Sequence, residues 1–164
     1  RVKVAVPVWR IATDTPDYTA DDLAGTGAKS SGGRWNRKGT AMVYTSGSAA
    51  LACLETLVHL AVNPLPLNRY LVRVEIPYAV FMARLRLDDL VAAGQQVGWD
   101  AEPAGKVSLD LGTAWAAGMR SAVLEVPSVV LPEESNFLIN PLHPDAAGIH
   151  AVKLRRFEYD RRLR

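Results

Sequence analysis

Glu55 is the residue whose setting most needs a chemical explanation. The stretch around it reads Ala49-Ala50-Leu51-Ala52-Cys53-Leu54-Glu55-Thr56-Leu57-Val58-His59-Leu60. On a helix, its neighbours one turn away are Leu51, Ala52, Val58 and His59. The carboxylate therefore lies on a mostly apolar face, and glutamate is rarely buried without a partner. Two readings stay open: an arginine neutralises it inside the fold, or it faces a cleft and does chemistry. His59 reads as a packed histidine rather than a catalyst.

A second chemical cluster precedes it, in Gly32-Gly33-Arg34-Trp35-Asn36-Arg37-Lys38-Gly39. Two glycines let backbone approach a ligand closely or adopt a positive φ. A guanidinium suits two-pronged capture of a pyrophosphate, and Trp35 can pack beneath to fix the loop. The competing reading is a solvated turn anchored by its tryptophan. Between the clusters, Tyr44 is either a core tyrosine or a ring that stacks on a flat heterocycle. Ser128, after Val126-Pro127, is either a turn serine or a hydroxyl that meets a ligand.

Other chemistries fail on spacing. In Gly25-Thr26-Gly27-Ala28-Lys29-Ser30, a phosphate loop needs glycine where Ala28 and Leu23 stand. No glycine fingerprint of a dinucleotide fold follows a strand. His59, His143 and His150 lack metal-ligand spacing, so no metal site is expected. No nucleophile elbow supports a serine triad.

These residues need elements to position them. Residues 2–11 are β-rich but interrupted by Pro7, which predicts an edge strand. Residues 14–40 are polar and glycine-rich and predict a long functional loop. Residues 42–45 predict a short strand. Residues 49–62 predict a helix, capped by Ser46 or Ser48 and stopped by Asn63-Pro64. Residues 70–76 predict a strand with Tyr70, Val72, Val74 and Ile76 on one face and Arg73 and Glu75 on the other. Strands are also expected at 81–87, 122–126, 129–131, 137–139 and 151–157. A short helix should open at Asp88-Asp89 and end near Gly94, residues 97–107 should be irregular, and a second helix should span 109–117, closed by Gly118. Strands outnumber helices without alternating with them, so the expected class is α+β: one compact domain over residues 1–164 with mixed or antiparallel sheets.

Composition agrees. The 164 residues suit one domain, and 49% hydrophobic content can fill a core without metals or disulfides. The single cysteine, Cys53, excludes an internal disulfide and suits a reducing compartment. A net charge of +2 gives no sign of nucleic-acid binding. The terminal Arg155-Arg156 and Arg161-Arg162 read as a solvated face, with a weak phosphate or partner patch as the lesser reading. The longest apolar run, 49–62, falls short of the ~20 residues that cross a bilayer. The N-terminal Arg1-Val2-Lys3-Val4 lacks a signal-peptide pattern, although the sequence also lacks an initiator methionine. A cytoplasmic location is the expectation.

Taken in order, the motifs resemble the RES domain, the toxin half of bacterial RES–Xre toxin–antitoxin pairs. The resemblance rests on Trp9-Arg10-Ile11, Gly33-Arg34-Trp35-Asn36, Tyr44-Thr45-Ser46 with Leu54-Glu55, Val126-Pro127-Ser128, Asn136 through Pro144, and Phe157 with Asp160-Arg161-Arg162-Leu163. It covers nearly the whole chain. The family's Arg, Glu and Ser map onto Arg34, Glu55 and Ser128, with Ser121 and Ser46 as rivals for the serine. The resemblance implies a fold akin to ADP-ribosyltransferases and cleavage of NAD at the nicotinamide–ribose bond. NAD is then a substrate, no resident cofactor is expected, and inorganic phosphate is a candidate co-substrate. The leading expectation is degradation of NAD by water or phosphate, which depletes the cell's NAD and arrests growth; transfer of ADP-ribose to a host protein is the runner-up. On this reading Arg34 holds the pyrophosphate with Arg10, Tyr44 packs on the nicotinamide ring, Ser128 positions a ribose or amide group, and Trp35, Asn36 and Ser46 complete the NAD contacts. An Xre-like antitoxin that blocks the active site is the implied partner. An inert module that only pairs with a helical partner is the alternative from another class.

Overall fold

A computed structural model describes residues 4–60, 67–91 and 98–163. One seven-stranded sheet organises them, in the order β4-β5-β6-β2-β1-β3-β7. The strands are β1 (Ala5–Thr13), β2 (Val43–Ser46), β3 (Arg69–Pro77), β4 (Leu85–Arg86), β5 (Val123–Pro127), β6 (Ser135–Ile139) and β7 (His150–Arg156). Only β4 and β5 run parallel; the other neighbours are antiparallel. This is the expected α+β class, with a mixed sheet and few helices.

The alternation expected in β3 holds, because Val72, Val74 and Ile76 have no exposure. They pack with Val8, Val123, Phe137 and Ile139 into the core on one face. The opposite face carries two patches. Under α5 (Lys106–Gly118), Trp35, Met42, Trp115, Leu124 and Leu138 pack together. Under α2 (Ala49–Leu57), Ala52 meets Ile11 and Leu71.

Several sequence expectations are corrected. β1 is interior, flanked by β2 and β3, rather than an edge. Pro7 is tolerated because β2 reaches β1 only at Trp9↔Ser46, which leaves the start of β1 paired with β3 alone. The long loop contains a short helix, α1 (Thr26–Ser31). The segment after β3 turns into α3 (Tyr78–Met82), since β3 loses its partner strand past Ala5↔Pro77, and only Leu85–Arg86 extends as β4. A further short helix, α4 (Leu87–Leu90), opens at the expected acidic pair; its predicted end near Gly94 lies outside the described residues.

α2 starts where expected, because the Ser48 side chain accepts the Leu51 N–H. It ends early. His59 and Leu60 donate to Thr56 and Leu57, a tightening that satisfies the last carbonyls. His59 is exposed rather than packed, and the predicted stop at Asn63-Pro64 lies outside the described residues. α5 begins earlier than predicted, at Lys106, and Met119, not Gly118, takes the left-handed position after it, with φ 55°. Residues 129–131 form a turn instead of a strand, since the Ser128 hydroxyl accepts the N–H of Val130 and of Leu131.

Gly112 ties α5 to the loop that carries Arg34. A Cβ there would lie 1.9 Å from the carbonyl oxygen of Trp35. Alanine gains ~1 kcal/mol of helix propensity over glycine. Overpacking against backbone costs ~3 kcal/mol, so the clash wins. Gly112→Ala should lower the melting temperature by about 4–8 °C, read by thermal unfolding followed by circular dichroism.

Candidate active site

Glu55 resolves into neither of its two simple readings. Among the described residues no arginine pairs with it. Its Oε1 instead accepts two bonds from neutral groups, 2.6 Å from the Ser128 hydroxyl and 2.7 Å from the Asn136 side-chain N–H. Three elements make this possible. Glu55 descends from α2, Ser128 follows the end of β5, and Asn136 stands on β6 opposite Val126. Behind them, the Ser46 hydroxyl on β2 donates to the Asn136 side-chain oxygen Oδ1 at 2.7 Å. Glu55 and Asn136 are half-buried, whereas Ser46 and Ser128 expose 4% and 0% of their surface. The two serines therefore lie behind the carboxylate rather than at its open side.

This placement revises two expected contacts. Ser128 has its oxygen filled by two backbone N–H groups and its proton directed to Glu55, so it acts through the glutamate and not on a ribose. Ser46 is likewise engaged with Asn136. The rival Ser121 is remote in role: it accepts the Trp115 indole N–H and donates to the Val123 carbonyl. Asn136 received no role from the sequence, where it only opens the motif running to Pro144.

The second cluster gathers around the other end of β2. The Tyr44 hydroxyl donates to the Asn36 side-chain oxygen at 2.6 Å and accepts the Trp35 backbone N–H at 3.0 Å. Burial pushes its pKa above the ordinary tyrosine value, against the opposing pull of the Trp35 N–H and the Arg34 charge. Asn36 has no exposure, and its amide donates to the carbonyls of Ala28, Arg37 and Thr40. Trp35 is buried and stacks on Trp99, with ring centroids 6.0 Å apart. Asn36 and Trp35 thus build the loop instead of facing a ligand. Gly33 is glycine because a Cβ would come within 2.7 Å of the Tyr44 hydroxyl, so the close approach is to protein.

Arg34 projects from this loop with 17% of its side chain exposed. It donates to the carbonyls of Trp99 (3.2 Å) and Ala101 (2.7 Å) and to the Glu102 carboxylate (2.9 Å). Arg10 lies where β1 and β2 part company beyond their single Trp9↔Ser46 pair. There Arg10 and Tyr44 line a small cavity of about 50 Å³ with Tyr18, Asp22 and the turn at Gly25. The Arg10 Nε is buried with no hydrogen-bond partner. Burial lowers its pKa, with Asp22 and Tyr18 opposing. A buried, unmatched guanidinium N–H beside a cavity is a ready anion donor.

A roomier cavity, about 330 Å³, lies at the β4–β5 edge, lined in part by Arg86, Trp99, Glu125 and Ser135. Burial disfavours the Glu125 charge there, yet hydrogen bonds from Arg84 and Ser135 and the charges of Arg84 and Arg86 hold its pKa below the ordinary value. That carboxylate is already paired, so the chemistry belongs with Glu55.

The RES domain matches residues 7–161, and the chain belongs to that family. It is 56% identical over 156 residues to the "Prs ADP-ribosylating toxin" of Sphingobium sp. (strain YBL2), covering 94% of each chain. It is 35% identical over 158 residues to "Toxin Res" of Pseudomonas putida, covering 95% of this chain and 98% of the relative. Its fold matches that of the crystal structure of the M. tuberculosis MbcT–MbcA toxin–antitoxin complex, with TM-score 0.56 and 15% identity over 93% of this chain and 86% of that one. The chain is thus a RES-family toxin. Among the described residues no group could hold a metal ion, and no helix is long and apolar enough to cross a membrane.

Tyr44→Phe keeps the ring but strands the Asn36 oxygen and the Trp35 N–H. Leaving buried partners unmatched costs ~1–3 kcal/mol. Chemical denaturation should show a lower midpoint with an unchanged slope.

Proposed function

We propose that this toxin cleaves NAD at the nicotinamide–ribose bond and passes the ADP-ribose to a protein acceptor. The observation that carries the reading is Glu55: a half-buried carboxylate held by two neutral donors, with no cation paired to it among the described residues. When the glycosidic bond breaks, its electron pair goes to the pyridine nitrogen and nicotinamide leaves as a neutral molecule. The ribose then carries oxocarbenium character, which a fixed carboxylate stabilises. No strong general acid is needed. An acceptor atom forms the new bond to the anomeric carbon and loses its proton to solvent or a nearby base.

Arg34 and Arg10 suit the pyrophosphate, since one is anchored by backbone carbonyls and the other has an unmatched buried N–H. The ring of Tyr44, on the wall shared with Arg10, suits the nicotinamide. Transfer to a protein is favoured over degradation by the 56% identical relative, whose name is that of an ADP-ribosylating toxin. Hydrolysis or phosphorolysis of NAD is the second reading. The MbcT–MbcA fold match supports a protein antitoxin as partner, and the family resemblance implies that this partner covers the site.

Purified protein should release nicotinamide from NAD, and Glu55→Gln should lower the rate by ~10²–10³-fold while remaining folded; full activity of that variant overturns the assignment. With NAD labelled in the adenosine half and a cell lysate, a labelled protein band supports transfer. Labelled small products alone, with or without phosphate, support degradation.

Glu102 is 74% exposed and bonds Arg34 where a phosphate oxygen would. Such a pair is worth at most ~1 kcal/mol, about fivefold in affinity. Glu102→Gln should lower the KM for NAD by up to about fivefold with little change in kcat.

A further inference from the structure

We infer that Asn136 is a positioning residue for Glu55, locked in its working orientation by Ser46, and that the pair divides the two carboxylate oxygens between holding and chemistry. The inference rests on the NAD reading above and deepens it. Both donors, Ser128 and Asn136, reach the same oxygen, Oε1. Among the described residues none donates to Oε2. One oxygen is fixed to the protein and the other is left to face the ribose.

The direction of each bond follows from chemistry. A side-chain amide can present either its oxygen or its nitrogen, and only the nitrogen donates. The Ser46 hydroxyl donates to the Asn136 oxygen, which turns the N–H toward Glu55. The opposite flip would set two oxygens against each other. Ser128 is equally unambiguous: its oxygen already accepts from Val130 and Leu131, so its proton goes to Glu55. Register brings the set together, since Ser46 pairs with Asn136 and Asn136 with Val126 across three adjacent strands. Ser46 is also the only β2 residue paired with β1. The lock therefore sits where the sheet closes, just before β1 and β2 diverge.

Neutral donors suit the task. An arginine in place of Asn136 would cancel the charge that the developing oxocarbenium needs. An amide and a hydroxyl fix the carboxylate and leave its charge in place.

Asn136→Asp keeps the shape and the Ser46 bond but replaces the N–H with an oxygen. It should lower kcat for nicotinamide release by ~10–100-fold, with the KM for NAD within about twofold of the wild type. Ser46→Ala should lower kcat by about threefold to tenfold, one hydrogen bond's worth, and Ser46→Thr should restore most of it. Wild-type kcat in Asn136→Asp, or a loss confined to KM, overturns the inference. If Asn136→Asp shows no folded thermal transition, the Ser46→Ala and Ser46→Thr pair makes the same comparison. Nuclear magnetic resonance of the ¹⁵N-labelled protein without NAD separates this from the activity itself. The Asn136 side-chain amide should shift in Glu55→Gln and exchange faster with solvent in Ser46→Ala; an amide insensitive to both sinks the lock. A wild type that releases no nicotinamide sinks the NAD reading, and the amide spectra still decide the lock.

Discussion

Ser128 and Asn136 both donate to one oxygen of Glu55, and neither carries a charge. Much of the site's architecture answers to that constraint. A carboxylate on an apolar helix face must be desolvated in part, and a cation would be the easy compensation. Two neutral donors at 2.6 and 2.7 Å fix it in place while its negative charge survives. That requirement brings α2, the end of β5 and β6 to one point, and it gives the turn after Ser128 its shape, since the same oxygen accepts two backbone N–H groups.

β2 is four residues long, and both clusters hang from it. Tyr44 clips the arginine loop through Asn36 and the Trp35 N–H, and Ser46 fixes Asn136 two residues later. Residues two apart on a strand share a face, so the arginine loop and the carboxylate are registered to one rigid element. The single pairing of β1 with β2 lets the strands separate beyond it, and Arg10 and Tyr44 line the resulting cavity. A fully zipped pair would have closed that space with ladder bonds.

The arginine loop is held from outside by α5 and by residues 99–102. Gly112 lets the helix touch the Trp35 backbone, Trp99 stacks on the Trp35 ring, and Arg34 is drawn toward Trp99, Ala101 and Glu102. The carbonyl bonds orient the guanidinium, and the exposed Glu102 carboxylate pairs with it from the solvent side. The carbonyls and the carboxylate that hold Arg34 thus come from one segment.

The sequence alone determined what depends on local pattern: the alternation in β3, a serine cap for α2 at Ser46 or Ser48, the α+β class, and Glu55 as a carboxylate on an apolar face. It also carried the ordered motifs of the family. It misplaced features whose cause is non-local. Pro7 suggested an edge strand, because nothing nearby says that β2 reaches β1 at one residue only. Residues 129–131 suggested a strand, because the hydroxyl that turns them had to be oriented by Glu55, 73 positions away in the chain. The role of Asn136 was hidden for the same reason: an asparagine opening a motif has no assigned task until Ser46 and Glu55, 90 and 81 positions distant, arrive on either side of it. Residue types decided which groups could do chemistry. Only the tertiary structure decided which of them face the open side and which hold the others, since hydrogen-bond direction and burial are set by neighbours that strand register supplies.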